Sequence, residues 1–584
     1  MFRRSALFVA LLAVLGSVTT AASTAASAEP HGGGVTGRFD RPQDGFAPPR
    51  TVLRDGSPRE AGLDPAPIDD AVAKIDAWTR PDPASGHPLF SGAVGLLAHD
   101  GVVVKRSTAG FALRYADAAG TELPADQKVP MRTDTIFDMA SVSKLFTSIT
   151  VMQLAESGKI DVDAPVATYL PEFGVNGKES ITVAQLLTHT SGLVSWLPLW
   201  SQYPDIPSRI KAVMDVAPHN APGSTYEYSD LNLITLGVLV ERVTGKTLDK
   251  VVAERITSPL HMVDTGYNPP ASKLDRVAAT EYEANPPRGM VRGSVHDENA
   301  WSLGGVAGHA GVFSTAGDMA VLAQAMLNGG TYRGHRILRP ETVEAMIDNH
   351  NQAFPGHDHG YGFELNQMWY MGGLSGPHTA GHTGFTGTDM VIDPASRSFA
   401  ILLSNRVHPS RSWGSINIAR ETWCTGLAKA LAVRARHGRD SWYTGIGDAS
   451  QATLTSVALR PDGDLRVRMD AFVDSEPTDF LALEASSDGT SWTAVPMDVS
   501  GPGAPDETVN SLAGSGHRSW WRVDARIPHA AEITLRWRFT TDIRYTGRGI
   551  HLDGLLVTDS VHTLLNGEKE PHKLQADGWQ LRSR

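Results

Sequence analysis

The chain has 584 residues, 41% of them hydrophobic, with 52 lysines and arginines against 64 aspartates and glutamates for a net charge of −12. Such a chain can bury a large core, and domains of roughly 100 to 250 residues make two or three globular units the expectation. The acidic balance repels a phosphate backbone at long range, so nucleic acid is excluded as a partner class. Cys424 is the only cysteine, so no intrachain disulfide can form; beside Trp423 in a helix-like stretch it reads as a small buried apolar residue.

The first 28 residues read as an export signal. Arg3 and Arg4 supply positive charge, Ala6 to Val18 is mostly apolar, and Ala26-Ser27-Ala28 fits a cleavage site, which implies a secreted or cell-wall-associated protein beginning near Glu29. The paired arginines leave Sec and twin-arginine export both open. A membrane span needs about 20 apolar residues, and no run of that length follows, so no transmembrane span is expected. Residues 29–57, rich in Gly and Pro without apolar periodicity, read as a tether.

A catalytic-size unit is expected over residues 58–435. It starts with a helix around Ile68 to Trp78 and a β-hairpin from Ser91 onward, with Asp100-Gly101 at the turn. Helical patterns dominate from Val142 to about Ile256. Strand patterns return from Gly387 to Ser404, interrupted by Asp393-Pro394-Ala395-Ser396. Helices from mid-chain packing on a sheet built from the two ends predict an α+β architecture. After a linker at 436–449, short strand-like runs (Thr453–Leu459, Leu465–Phe472, Phe480–Ala485, Trp520–Val523, Ile533–Phe539, Gly549–Val557) predict an all-β sandwich over 450–584. Glycan contact through Trp492 or Trp520 competes there with the simpler reading that both rings fill the sandwich core.

The strongest chemical signal is Ser141-Val142-Ser143-Lys144 at the start of a helical pattern. Three-residue spacing puts Lys144 on the same helix face as Ser141, within reach of its hydroxyl. A serine needs an activator, and burial and the helix dipole would both disfavour the ammonium form, making Lys144 a base. The bland alternative is a helix-capping serine beside a solvated lysine. Tyr228-Ser229-Asp230 opens a second helical run; Tyr228 offers a phenol for proton relay, and Asp230 could orient Lys144 or accept a substrate hydrogen bond. Gly381-His382-Thr383-Gly384-Phe385 precedes the late strands, where an exposed edge could donate to an oxyanion together with the N–H of Ser141.

Taken with Leu186–Leu193, Gly304–Thr315 and Leu403–Arg406, these three elements resemble the serine β-lactamase and penicillin-binding-protein superfamily, which includes D-alanyl-D-alanine carboxypeptidases and esterases. The resemblance, from about Gly62 to Leu431, implies an antiparallel sheet packed with helices plus an all-helical part. It also implies an acyl-enzyme on Ser141, proton exchange by Lys144 and Tyr228, a substrate-lining strand at His382, Thr383 and Gly384, and a second oxyanion donor in the N–H of Phe385. One departure stands out: Asp230 replaces the family's asparagine, and a carboxylate lacks the amide's donor. With no Glu assignable as a deacylating base, efficient antibiotic turnover is not expected.

No cofactor is expected. His357-Asp358-His359 lacks a third ligand at metal-site spacing and reads as a solvated loop, while His189 and His309 read as loop-bonding residues. The expected function is acyl transfer to water, with a D-alanyl peptide of peptidoglycan as leading substrate. A carboxylesterase or another peptidoglycan amidase is the alternative within the family, and a non-catalytic wall-binding or penicillin-sensing protein the alternative outside it.

Overall fold

The structure, a computed structural model, describes residues 37–583. The expected signal peptide and the first part of the tether lie outside them. Two strands near the start of the hydrolase region form the expected hairpin. Gly92–His99 and Val102–Leu113 pair antiparallel around Asp100 and Gly101, whose φ angles of 48° and 77° are those a tight right-twisting turn demands. The late strands Thr388–Asp393 and Ser398–Ser404 also form as expected, and Ser398–Ser404 pairs with Gly92–His99. The two ends of the region are thereby joined in one sheet. Ala380–Gly384 and then Glu364–Leu365 extend it outward on the side of the late strands.

Helices cover both faces. Pro65–Ala77 (α1), capped by the Asp64 side chain on Ala66 N, lies on one face with the late helix Asn417–Ala430. On the other side Ser143–Glu156 is buried from Ser143 to Leu154, the condition of a helix surrounded by protein. Asp230–Thr244 packs against it. This is the α+β arrangement expected, followed by an all-antiparallel sandwich. Trp521, Trp537 and Phe539 are fully buried between its two sheets.

Two boundaries and the placement of two tryptophans differ from the sequence reading. Residues 37–57 do not hang free: Phe39 is fully buried, its N–H donates to Ala432 O at 2.8 Å, and Arg54–Asp55 adds a parallel strand beside Val102–Leu113. A single aromatic anchor in a Gly/Pro-rich stretch leaves no periodicity to detect. Ser441–Thr444, placed in the linker, is a central strand of the sandwich, paired with Gly549–Thr558 on one side and Gln580–Arg582 on the other. Trp492 and Trp520 do not fill the sandwich core. Arg536 lies 4.0 Å over the Trp492 ring, and Trp520 packs with Phe472 in the apolar cluster shared with the hydrolase domain.

Two buried arginines of the sandwich make that shared boundary specific. Arg548 donates to Ala428 O at 3.1 Å and Leu431 O at 2.6 Å, satisfying carbonyls at the C-terminal end of Asn417–Ala430 that the helix itself cannot pair. Arg518 donates to Leu374 O and to Asp393 Oδ2, both at 2.8 Å, with its side chain 3% and that of Asp393 0% exposed. Breaking a buried pair from one side costs about 3–5 kcal/mol because it strands the remaining charge, whereas replacing both partners by apolar groups can be neutral. Arg518→Met is therefore expected to lower the urea midpoint strongly and the double variant with Asp393→Leu to recover most of the loss. Equal loss in both variants would mean that the pair is not the determinant.

Candidate active site

Ser141 lies in the short 3-10 turn Ala140–Val142, which runs directly into the helix beginning at Ser143. The turn is held under strain: Ala140 adopts φ 46°, unusual for a residue with a side chain, and its N–H is fixed at 2.9 Å by Asp138 Oδ1. Asp138 also accepts the His296 N–H at 2.6 Å, and its carbonyl accepts from Thr386 Oγ1 at 2.7 Å. The strand Ala380–Gly384 runs alongside, and Gly384 is required there: a β-carbon would meet Met139 O and Thr388 Oγ1.

Lys144 follows one turn later, 1% exposed, with Nζ donating to Ser141 Oγ at 2.8 Å and His309 O at 3.1 Å. Asp230, the first residue of its helix, brings Oδ1 to 2.8 Å from the same Nζ, and the ammonium lies 4.9 Å from the centre of the Tyr228 ring. These contacts overturn one expectation. Burial does disfavour the charge, but the Asp230 carboxylate and then Tyr228 outweigh it, so the ammonium is held well above the usual lysine range. Lys144 rests charged. Burial pushes Tyr228 up to about 12 even though the Lys144 charge opposes it, so the phenol rests neutral, within hydrogen-bonding reach of both Lys144 and Ser141.

Of the other expected site residues, His382 is 1% exposed and stands 6.2 Å, ring to ring, from Tyr228. Burial, reinforced by the Lys144 charge, lowers it to about 3, so it is a neutral imidazole. Its Nδ1 faces Thr383 O at 2.8 Å, and Nε2 is buried without a partner. Thr383, Gly384 and Phe385 line the same open cleft of about 640 Å³ as Ser141 and Tyr228. Phe385 follows the end of its strand, stacks on His296 and is 49% exposed. Ser141 N and Phe385 N both stand where regular structure supplies no partner, at the head of a helical turn and past a strand end, as oxyanion donors must.

The structure adds residues that no motif announced. Glu364 lines the cleft, and burial pushes its carboxyl up to about 7, leaving it able to exchange a proton near neutrality. It reaches the site because Glu364–Leu365 pairs with the strand carrying His382, a long-range pairing from a two-residue strand. A second recess of about 370 Å³ opens from Ser141 between Trp196, Trp200, Asp297 and Glu298. His189 stacks on Tyr228 at 4.6 Å and accepts the Ser229 N–H at 3.0 Å, so it positions the Tyr228 segment. His357-Asp358-His359 is not a solvated loop: His359 is 1% exposed and His357 stacks on Tyr226.

Two donor clusters adjoin the site, Asp230-Asp297-His309 and Glu281-Glu283-His296, each with ligand atoms within 4.8 Å of one another. Both are already committed to cationic side chains. Lys144 pairs with Asp230, Arg288 with Glu283 at 3.2 Å, and Arg411 with Glu281 and Glu298. They form ion-pair networks around the cleft.

Residues 75–421 match the Beta-lactamase family, and the chain belongs to this family of serine hydrolases. Among curated relatives, the "Putative D-alanyl-D-alanine carboxypeptidase" of Escherichia coli (strain K12) is 34% identical over 392 residues, covering 61% of this chain and 86% of the relative. The N-acetylmuramyl-L-alanine amidase of Bacillus subtilis (strain 168) is also 34% identical, over 370 residues, with 58% and 81% covered. A class C β-lactamase structure superposes with TM-score 0.50 at 18% identity over 64% of this chain and 99% of its own, a likeness of fold.

The resting charge on Lys144 makes Asp230 the residue to test. A lysine that accepts the Ser141 proton must first be neutral, so activity should rise with pH toward a raised lysine pKa. Asp230→Asn removes the chief upward influence and leaves burial, which acts downward. The rising limb of kcat/KM against pH is expected to move to lower pH in Asp230→Asn; an unmoved limb would mean that Lys144 does not titrate in the rate-limiting step.

Proposed function

We propose that this chain is an exported serine hydrolase that acylates on Ser141 and transfers the acyl group to water, with an amide of a peptidoglycan-derived D-alanyl peptide as its substrate. The observation that supports this most is the convergence of Ser141, Lys144, Tyr228 and Asp230 at hydrogen-bonding distances beside an open cleft. Lys144, once neutral, takes the Ser141 proton as Oγ attacks the acyl carbon, and the Tyr228 phenol beside it gives its proton to the departing amine while taking one from the Lys144 ammonium, so that the amine leaves neutral and Lys144 is returned to its starting state. The N–H groups of Ser141 and Phe385 receive the oxyanion. Near neutrality Glu364 is the cleft carboxylate suited to take a proton from the incoming water.

Arg406, which lines the cleft near Phe385 and has no carboxylate partner among the described residues, gives a substrate carboxylate a cation, whereas the neighbouring Arg411 is already paired with Glu281 and Glu298. That favours a peptide with a free C-terminus over an uncharged ester. A second reading, cleavage of an amide between an amino sugar and a peptide, has one observation in its favour. The recess beside Ser141 pairs Trp196, 45% exposed, and Trp200 with the carboxylates of Asp297 and Glu298, a combination suited to a hydroxylated ring.

Intact-mass measurement with benzylpenicillin tests the acylation step. The wild type is expected to gain one drug mass that persists, and Ser141→Ala to gain none. An adduct that survives in Ser141→Ala would remove Ser141 as the nucleophile. Parallel assays on a D-alanyl-D-alanine peptide and a muramyl-L-alanine peptide separate the two readings by which one turns over, and loss of both in Ser141→Ala ties either to the same serine.

A further inference from the structure

At one end of the sandwich, three loops bring four carboxylates together. Asp448 follows the strand Ser441–Thr444, Glu476 and Asp479 join Leu465–Asp474 to Phe480–Ser486, and Asp542 follows Thr534–Thr540. Ligand oxygens of Glu476, Asp479 and Asp542 lie within 4.8 Å of one another. Asp448 belongs to the same field, since its charge acts on Asp479 and that of Asp542 acts on it. Among the described residues no lysine, arginine or histidine comes within 4.0 Å of any of the four carboxylates. This sets the cluster apart from Asp230, Glu281, Glu283 and Glu298 near Ser141, each of which is paired with a lysine or arginine.

Asp479 shows what the cluster lacks. It is 0% exposed; one oxygen accepts the Asp542 N–H at 2.7 Å, while Oδ2 is buried with no hydrogen-bond partner. A buried carboxylate oxygen without a donor is costly, and among three further carboxylates a cation is the partner that would satisfy it. The donors are all oxygen, with no histidine or cysteine, which selects a hard cation over zinc or copper. An all-carboxylate set on three loops suits Ca²⁺, which accepts flexible oxygen coordination, better than Mg²⁺, which demands a near-ideal octahedron and gives up its waters reluctantly.

The position adds a consequence. Asp448 lines a groove between the two domains together with Glu421 of the helix Asn417–Ala430. Burial, then the charge of Asp448, with Glu476 contributing, pushes Glu421 up to about 7. A divalent ion on the sandwich side relieves that repulsion across the boundary. We propose that Glu476, Asp479 and Asp542, with Asp448 as a fourth carboxylate, form a Ca²⁺ site that secures the sandwich against the hydrolase domain.

The test uses the full exported chain stripped with EDTA. Titration calorimetry with CaCl2 is expected to give one site with Kd on the order of 10⁻⁴ M or tighter, MgCl2 to bind at least about tenfold more weakly, and CaCl2 to raise Tm. Asp479→Asn should lose both the heat and the Tm shift. Because Asp479 is buried, Asp542→Asn, at an exposed position, is the second variant, and circular dichroism of each variant without calcium reports folding separately. Absence of binding and of any Tm shift in the wild type at millimolar CaCl2 would overturn the proposal. So would calcium-independent stabilisation as pH falls through 7 that disappears in both variants, because the carboxylates would then be sharing protons. Penicillin acylation of Ser141 is measured on the same samples, so failure of the metal site is distinguishable from failure of the hydrolase reading.

Discussion

An ammonium group inside protein has to be compensated, and the arrangement around Ser141 follows from that requirement. Lys144 lies in a helix buried all round, where an isolated charge would cost several kcal/mol. Its partners come from three separate segments: Ser141 Oγ from the preceding turn, Asp230 from the head of another helix, and His309 O from a loop. Each contact that makes the charge tolerable also fixes the geometry of nucleophile and phenol. The strained Ala140 is tolerated because Asp138 holds its N–H, and Asp138 is in turn tied to His296 and Thr386. Stability of the charge and placement of the nucleophile are one problem with one solution.

The Lys144–Asp230 pair also sets the resting protonation of the site. An asparagine at position 230 would remove the chief upward influence on the lysine; the carboxylate keeps the ammonium favoured against burial. The cleft therefore holds a charged lysine, a neutral tyrosine and a neutral histidine, with Glu364 as the group whose charge changes near neutrality. Behind it, the ion pairs of Arg411 with Glu281 and Glu298, and the stacking of Phe385 on His296, stiffen the wall opposite the nucleophile.

Much of this was legible in the sequence, for local reasons. The hairpin at Asp100-Gly101, the paired late strands and the sandwich strands each carry their own turn chemistry and alternation. Ser141 and Lys144 sit on one helix face by spacing alone. What the sequence hid depends on contacts between distant segments. Spacing shows that Lys144 is near Ser141 but not that Asp230 lies closer to its charge than solvent does, so the expectation of a neutral base failed. Glu364 enters through a two-residue strand, too short for any pattern. Phe39 sat in a stretch whose composition spoke for a tether, and Ser441–Thr444 was too brief to separate from a linker. His359 looked hydrophilic until the fold enclosed it.

Phe39 also has a bearing on how the chain acquires its final form. Its ring lies 4.3 Å from the Arg518 guanidinium and 5.2 Å from that of Arg548, and it meets Phe472 edge-on at 6.2 Å. Nearly the first described residue is thus seated among some of the last. The seat does not exist until the chain has been made through Arg548. Contacts of such sequence separation form late. The hydrolase sheet and the sandwich can each assemble beforehand, but the N-terminal segment can close over their junction only afterwards. Its docking therefore reports completion of the whole molecule, and a chain truncated ahead of Arg518 would leave an aromatic anchor with nowhere to go.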